Sequence, residues 1–300
     1  MPVTMSNPEL PQWLKALVAQ NKAALRCEAA RAVSDSITAK SLRTVCHDAL
    51  CPNKGKCFSE GGATFLILGG ICTRGCRFCA VERGVPPPPD ETEPEKIAEA
   101  IAGWKLRYAV ITSPTRDDLP DGGAAHFAKT ITAIRQSAPQ CLVEPLIPDF
   151  AGQTAPLETV LAAKPAVLAH NMETVPRLYA EIRKGADYRR SLEVISNSKR
   201  IAPEIPAKSG IMLGLGETAP EIEAVLRDLR AAGCDILTLG QYLAPSRSHV
   251  QPERYLELSE FADWGKKAEA LGFAAVSSGP LVRSSYLAGE MYRKACGNKR

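Results

Sequence analysis

Three hundred residues exceed the usual size of one domain yet fit a single α/β barrel, and 45% hydrophobic with 23% charged residues is an ordinary globular make-up. A formal charge of +4 without any Lys/Arg-rich block is too weak to argue for nucleic acid. No apolar run nears the roughly 20 residues that span a bilayer, so no membrane role is expected. The start, MPVTMSNPELPQWLK, lacks the charged, apolar and small-residue regions of a secretion signal, which makes the cytoplasm the expected location.

The first 45 or so residues have a helical pattern, with Trp13, Leu14 and Leu17 on a short apolar face and a second helix expected over Asn21–Val33. From Thr64 onward, apolar runs of strand length alternate with amphipathic stretches. The strand candidates are TFLILG (64–69), YAVIT (108–112), LVEPLI (142–147), AVLAH (166–170), GIMLGL (210–215), ILTLG (236–240) and a weaker FAAVS (273–277). Helices are expected over Pro94–Trp104, Gly123–Ser137, Pro220–Ala232 and Pro252–Leu271, several opening on Pro or an acidic first turn. Near-continuous apolar strands separated by helices predict a parallel sheet with helices outside. Six or seven units predict an α/β fold, a partial (β/α)6-type TIM-like barrel with N-terminal and C-terminal extensions. A doubly wound sheet is the alternative, and in both architectures ligands sit at the carboxyl ends of the strands. The expected organisation is an extension over 1–60, the barrel over 61–280 and a tail over 281–300, with PPPPD (86–90) as a stiff linker.

Six of the ten cysteines fall between Cys46 and Cys79. Clustered thiols in a reducing compartment point to metal. Cys72-Thr-Arg-Gly-Cys76-Arg-Phe-Cys79 follows the first strand directly and puts three thiolates on one tight loop. Clusters that only carry electrons usually have four protein ligands, so three on a 4Fe–4S cube leave one iron open to a small molecule. A structural zinc knot is the alternative, although it would favour paired C-x2-C units and a fourth nearby ligand. Upstream, Cys46, Cys51 and Cys57 form a second trio spaced C-x4-C-x5-C, and the 15-residue step from Cys57 to Cys72 favours two sites over one. Cys27, Cys141, Cys234 and Cys296 read as packing or surface thiols. His47, His126, His170 and His249 read first as hydrogen-bonded structural residues, with His170 the best placed for a pocket.

The C-x3-C-x2-C loop, with Phe78 before its last cysteine, resembles the radical S-adenosylmethionine superfamily. Within it, CPNKGKC followed by FSEGGATFLILG and CTRGCRFCAV resembles the lipoyl synthase family. The likeness continues through RDDLPDGG (116–123), LIPDF (146–150), AHNMETVPRLY (169–179), GADYRRSL (185–192), KSGIMLGLGE (208–217), ILTLGQYLAPSRSH (236–249) and SGPLVRSSY (278–286). It implies two 4Fe–4S clusters and S-adenosylmethionine as cofactors. Cys72, Cys76 and Cys79 would hold the cluster that cleaves S-adenosylmethionine. Cys46, Cys51, Cys57 and Ser285 would hold an auxiliary cluster consumed as the sulfur donor. A serine oxygen is a harder donor than thiolate, so Ser285 is expected to make one iron easy to release. The implied reaction inserts two sulfur atoms at C6 and C8 of an octanoyl-lysine. The implied partners are octanoylated lipoyl carrier domains (E2 subunits or the glycine-cleavage H protein), a flavodoxin or ferredoxin-type reductant, and an iron–sulfur carrier that rebuilds the cluster.

The resemblance also suggests how the cofactor is held. Phe78 is placed near the adenine, Ser113, Arg116 and Asp118 near the methionyl amine, and Asn171 and Glu173 near the ribose. Arg190 is a candidate partner for the cofactor carboxylate, or else part of a solvated helix face. Gly210, Gly214 and Glu217 match a strand-borne G-x-I-x-G-x-x-E pattern in which Met212 replaces the isoleucine, and the glycines could equally end a strand. The chain departs from the family at Phe58, usually Trp, at His47 and Asp48, usually two acids, and at Pro114 and Thr115 beside the expected cofactor.

Overall fold

The apolar runs pair side by side in the order in which the chain makes them. The structure is a computed structural model that describes residues 9–60 and 62–297. The first eight residues of the opening extension, Gly61 and the last three residues of the tail lie outside the described residues. Seven strands form one sheet: β1 (Thr64–Leu66), β4 (Tyr108–Thr112), β5 (Leu142–Leu146), β6 (Leu168–Ala169), β7 (Ala207–Leu213), β8 (Ile236–Gln241) and β9 (Ala275–Gly279). Every pairing is parallel and joins neighbours in that order. The remaining two strands, β2 (Ile71–Cys72) and β3 (Glu82–Arg83), make a separate parallel pair at the base of the cysteine loop. An unbroken sequential order with helical crossovers is the winding of a partial barrel and not of a doubly wound sheet.

The crossovers are α5 (Glu93–Gly103), α6 (Ala124–Ser137), α7 (Thr154–Ala162), α8 (Pro176–Ile182) with α9 (Tyr188–Ile201), α10 (Ala219–Ala231) and α11 (Leu258–Ala270). Before the barrel stand α1 (Gln12–Ala23), α2 (Glu28–Ala39), α3 (Val45–Asp48) and α4 (Lys54–Ser59), and after it α12 (Ala288–Cys296). Among the described residues no helix is long and apolar enough to cross a membrane.

The strand expected over 166–170 shrinks to Leu168–Ala169 and that over 273–277 moves to Ala275–Gly279, and three further elements differ from the sequence reading for a local reason. The helix expected over Asn21–Val33 is split, because the Cys27 thiol accepts the Ala30 N–H and starts α2 afresh. The helix expected from Pro252 begins at Leu258, where Glu257 and Glu260 form a capping box; upstream, the Glu253 N–H is already spent on the Gly214 carbonyl. The TFLILG run leaves the sheet after Leu66, and Leu68 and Gly69 turn with φ of +65° and +86°. That turn aims the chain into the cysteine loop. The lower barrel is closed by a buried pair, Lys208 to Glu144 at 2.7 Å, with the Tyr108 hydroxyl donating to the same carboxylate.

Candidate functional site

The Cys72–Cys79 loop lies over the carboxyl ends of the strands and is fastened by main-chain bonds from three separate segments. The Thr73 N–H donates to the Thr115 carbonyl, the Arg77 N–H to Ile182, and the Val250 N–H to the Arg77 carbonyl. The Thr115 N–H points at Cys72 Sγ at 3.3 Å, and His249 Nε2 lies 3.2 Å from the Cys79 carbonyl. Arg74, inside the motif, reaches down to Asp117 and to the fully buried Asp149. Burial alone would raise the Asp149 carboxyl; Arg74, with His170 and Arg190, outweighs it and holds the group at about 2. Burial, joined by their neighbouring thiols, pushes Cys76 up to about 11 and Cys79 to about 12.

The second trio sits where the N-terminal helices meet the end of the chain. Thr44 caps α3 through its hydroxyl and places Cys46 in the core. The Cys51 N–H returns to the Cys46 carbonyl, and α4 then carries Cys57. Burial and the neighbouring thiols raise Cys46 to about 11 and Cys57 to about 12. The segment bearing Ser285 is tied to this loop on both sides. Asn53 donates to the Leu281 carbonyl at 2.6 Å, and Lys56 reaches the Tyr286 hydroxyl at 2.9 Å. Gly240 is needed beneath it, because a Cβ there would lie 2.1 Å from the Val282 carbonyl oxygen.

Between the trios lie Glu173, Arg183 and Arg283. Burial holds the Glu173 carboxyl above its usual range, against the pull of Arg183 first and then of Asn171 and Arg283. The charge of Arg183 acts on Cys76, and that of Arg283 on Cys51 as well as Glu173. Around them, Ser113 Oγ, His170 Nε2, Asn171 Oδ1 and Thr174 Oγ1 are buried without a hydrogen-bond partner. Native interiors leave few such atoms unpaired, so a group of them at the strand ends is the mark of a polar ligand site. Since His170 Nδ1 lies 2.9 Å from the Ile147 carbonyl, its Nε2 presents a lone pair.

The sequence-expected residues divide accordingly. Ser113, Asn171 and Glu173 line this polar space, and Phe78 packs against the core beneath β7 and β8. Gly214, at φ +96°, leaves no room for a Cβ beside Gln241 and the Arg254 carbonyl. Glu217 turns back to accept the N–H groups of Gly214 and Leu215, which makes it a loop closure. Arg190 is turned to Asp149 and the Gly185 carbonyl, not to the polar space. Arg116 is buried against Asp118 and the carbonyls of Leu68 and Pro87. Arg183, seven residues earlier, donates from Nη1 to the Tyr179 hydroxyl and to Ser191 Oγ, both at 2.8 Å, and its charge acts on Glu173 and Cys76. Nothing in RKGADYRR distinguishes the two; Arg183 ends α8, while Arg190 lies in the first turn of α9, which starts at Tyr188. Thr115, a family departure, acts through its main chain, so the change of side chain leaves its contacts to Thr73 and Cys72 in place.

The comparisons with known proteins agree with this geometry. The Radical SAM superfamily model matches residues 66–229. A lipoyl synthase from Trichlorobacter lovleyi is 53% identical over 277 residues, which is 92% of this chain and 96% of that one. Another from Desulfotalea psychrophila is 54% identical over 85% of each chain. The chain belongs to the lipoyl synthase family. Among solved structures, the hydrogenase maturase HydG shares the fold with a TM-score of 0.58 at 12% identity, over 94% of this chain and 70% of that one. Methylornithine synthase PylB does so at 0.56 and 13%, over 86% and 74%.

Membership in the lipoyl synthase family brings two 4Fe–4S clusters and S-adenosylmethionine, and the residues fit those groups. Each trio offers soft sulfur donors suited to cluster iron, which binds them as thiolates. Among the described residues no three His, Cys, Asp or Glu side chains gather round a single-ion position, whereas a cube spreads its ligands over separate irons. Of the four remaining cysteines, Cys141 and Cys234 are buried, Cys296 is half-buried and Cys27 is exposed.

Proposed function

We propose that this chain inserts sulfur at C6 and C8 of an octanoyl group carried as an amide on the lysine of a lipoyl carrier domain. The observation that carries the reading is two separate thiol trios, each on its own scaffold, beside a set of buried, unpartnered polar atoms that follow the strand ends. Cys72, Cys76 and Cys79 would hold the cluster that meets S-adenosylmethionine. Cys46, Cys51, Cys57 and Ser285 would hold the cluster that donates sulfur. When bound, these groups supply one-electron chemistry and sulfur, which carbons with no acidic proton require.

The side chains have the remaining work. Arg183 is the partner of choice for the cofactor carboxylate, because a guanidinium meets a carboxylate through two parallel bonds. Ser113, Asn171 and Glu173 offer the polar contacts for the amine and ribose, and Phe78 offers an apolar surface for the adenine. Arg283, between Glu173 and Cys51, supplies positive charge where the two halves of the site face each other. The barrel, 61–280, thus houses the cofactor, while residues 1–60 and the tail from 281 bring the auxiliary donors. The carrier domain is of the E2 or glycine-cleavage H type, the electron source is of the flavodoxin or ferredoxin type, an iron–sulfur carrier restores the spent cluster, and the setting is the cytoplasm.

The test is anaerobic incubation of the reconstituted protein with dithionite, S-adenosylmethionine and an octanoyl-lysine peptide. Mass spectrometry should find products with one and then two added sulfurs. Formation of 5′-deoxyadenosine with no sulfur in the peptide would point to another radical enzyme, and no cleavage at all would sink the reading.

A further inference from the structure

The chain leaves the top of the barrel at Leu68 and comes back to it at Pro87, and the Cys72–Cys79 trio lies between. Leu68 holds φ at +65°, an uncommon state for a residue with a bulky side chain. A strained peptide persists where its surroundings over-determine it, and here both of its polar groups are gripped. The Leu68 N–H donates to Glu93 at 2.7 Å, and its carbonyl accepts from Arg116 Nη1 at 3.0 Å. The same guanidinium donates from Nη2 to the Pro87 carbonyl, also at 3.0 Å. One side chain therefore joins the two ends of the loop. Asp118 fixes the fork in turn, accepting from Nε at 2.9 Å and from Nη2 at 2.8 Å. Arg116 is only 1% exposed. A lysine could not reproduce this arrangement, because its point charge lacks the planar set of donors that reaches three acceptors at once.

We propose that Arg116 is a positioning residue for the S-adenosylmethionine-binding cluster: it clasps Leu68 to Pro87 so that Cys72, Cys76 and Cys79 keep one arrangement. This rests on the reading that those three cysteines hold that cluster. Main-chain bonds to Thr115, Ile182 and Val250 hold the middle of the loop, and the Arg116 fork adds the tie between its two ends, removing the freedom those ends would otherwise keep in the unloaded state. Losing the clasp should therefore weaken the fit of the cofactor to the open iron more than it slows turnover once the cofactor is bound.

The test compares the reconstituted full-length holoenzyme with its Arg116→Lys and Asp118→Asn variants. We expect KM for S-adenosylmethionine to rise about tenfold in Arg116→Lys, with kcat for 5′-deoxyadenosine formation changed by less than about threefold. The electron paramagnetic resonance change that S-adenosylmethionine induces in the reduced cluster should broaden, while the signal of the auxiliary cluster stays as it was. Asp118→Asn should do the same more weakly, and it carries the test if Arg116→Lys does not fold, since Asp118 lies at the surface and touches only the fork. Unchanged KM and spectra in the variants would overturn the proposal, and so would equal damage to both cluster signals, which would mark a general role in folding. Failure of the underlying reading looks different: Cys72→Ser would then keep the S-adenosylmethionine-induced spectral change.

Discussion

The two thiol trios offer similar donors from opposite kinds of scaffold. The Cys72–Cys79 loop is one continuous excursion from β1, fastened by main-chain bonds to segments around Thr115, Ile182 and Val250. The Cys46–Cys57 region is closed by the far end of the chain, through two side chains, Asn53 and Lys56. Main-chain bonds survive most substitutions and hold a loop in one shape. Side-chain ties can let go while the segments they join stay folded. The first arrangement suits a centre that must persist through many turnovers. The second suits one whose sulfur is consumed and whose ligands must reopen for repair, the role proposed for it above.

The largest effects should separate the trios by reaction. Cys72→Ala should lower 5′-deoxyadenosine formation by on the order of a thousandfold or more, because removing the reductant forfeits a barrier reduction of several kcal/mol. Cys51→Ala should leave that cleavage within a few fold and abolish sulfur insertion into an octanoyl-lysine peptide. Each variant should hold half the wild-type iron. The comparison breaks if Cys51→Ala also stops the cleavage, for the trios would then act as one unit.

Next in size is the anchor beneath the first loop. Asp149→Ala leaves Arg74 and Arg190 facing each other without the carboxylate that both now share. Breaking such a buried arrangement should cost about 3 kcal/mol in urea unfolding of the iron-free protein. Cofactor cleavage should weaken with it, while iron stays in the auxiliary centre. Smaller still is Asn53→Ala, which unties Leu281 and should cost about 1–2 kcal/mol. Its signature is faster loss of auxiliary iron to a chelator, with S-adenosylmethionine cleavage unchanged. If Asn53→Ala released iron from both centres equally, the tail would not be a separate closure.

The strands and both trios were legible in the sequence because their signals are local: apolar runs between turns, and thiols at fixed spacing. What the sequence hid is what depends on direction. Arg190 and Arg183 occupy the same short motif, but Arg183 closes α8 and bonds Tyr179 and Ser191, whereas Arg190 sits in the first turn of α9 and bonds Asp149. Arg116 sits two residues from Asp118 in a stretch that looks like ligand chemistry, yet its acceptors are carbonyls 48 and 29 residues earlier in the chain. Asp149 reads as a loop acid in LIPDF, and nothing in those letters tells that two arginines converge on it. Ser285 is the extreme case. As a lone serine near the end of the chain it carries no signal, and only family likeness singles it out; the structure adds that both flanks of its segment are anchored beside the second trio.

The smallest expected effect concerns acid, and it should fall on the first centre alone. His170 is fully buried beside Asp149, Arg74 and Arg183, and burial, helped by Arg183, lowers its imidazole to about 4 against an ordinary 6.5. Neutral in the folded chain and charged in the unfolded one below pH 6.5, it makes the unfolded state bind the extra proton. Stability is thus fully present above that value and falls as pH drops toward 4. Between pH 7 and pH 5.5 the loss should be about 1 kcal/mol. His47, beside the second trio, is exposed and should contribute far less. Urea unfolding of the iron-free protein at the two pH values, alongside His170→Gln, measures the difference. The variant should lose about 1 kcal/mol less over that interval than the parent chain. An identical slope in both would mean that His170 does not stay neutral in the fold, and its Nε2 could not then offer a lone pair to a ligand.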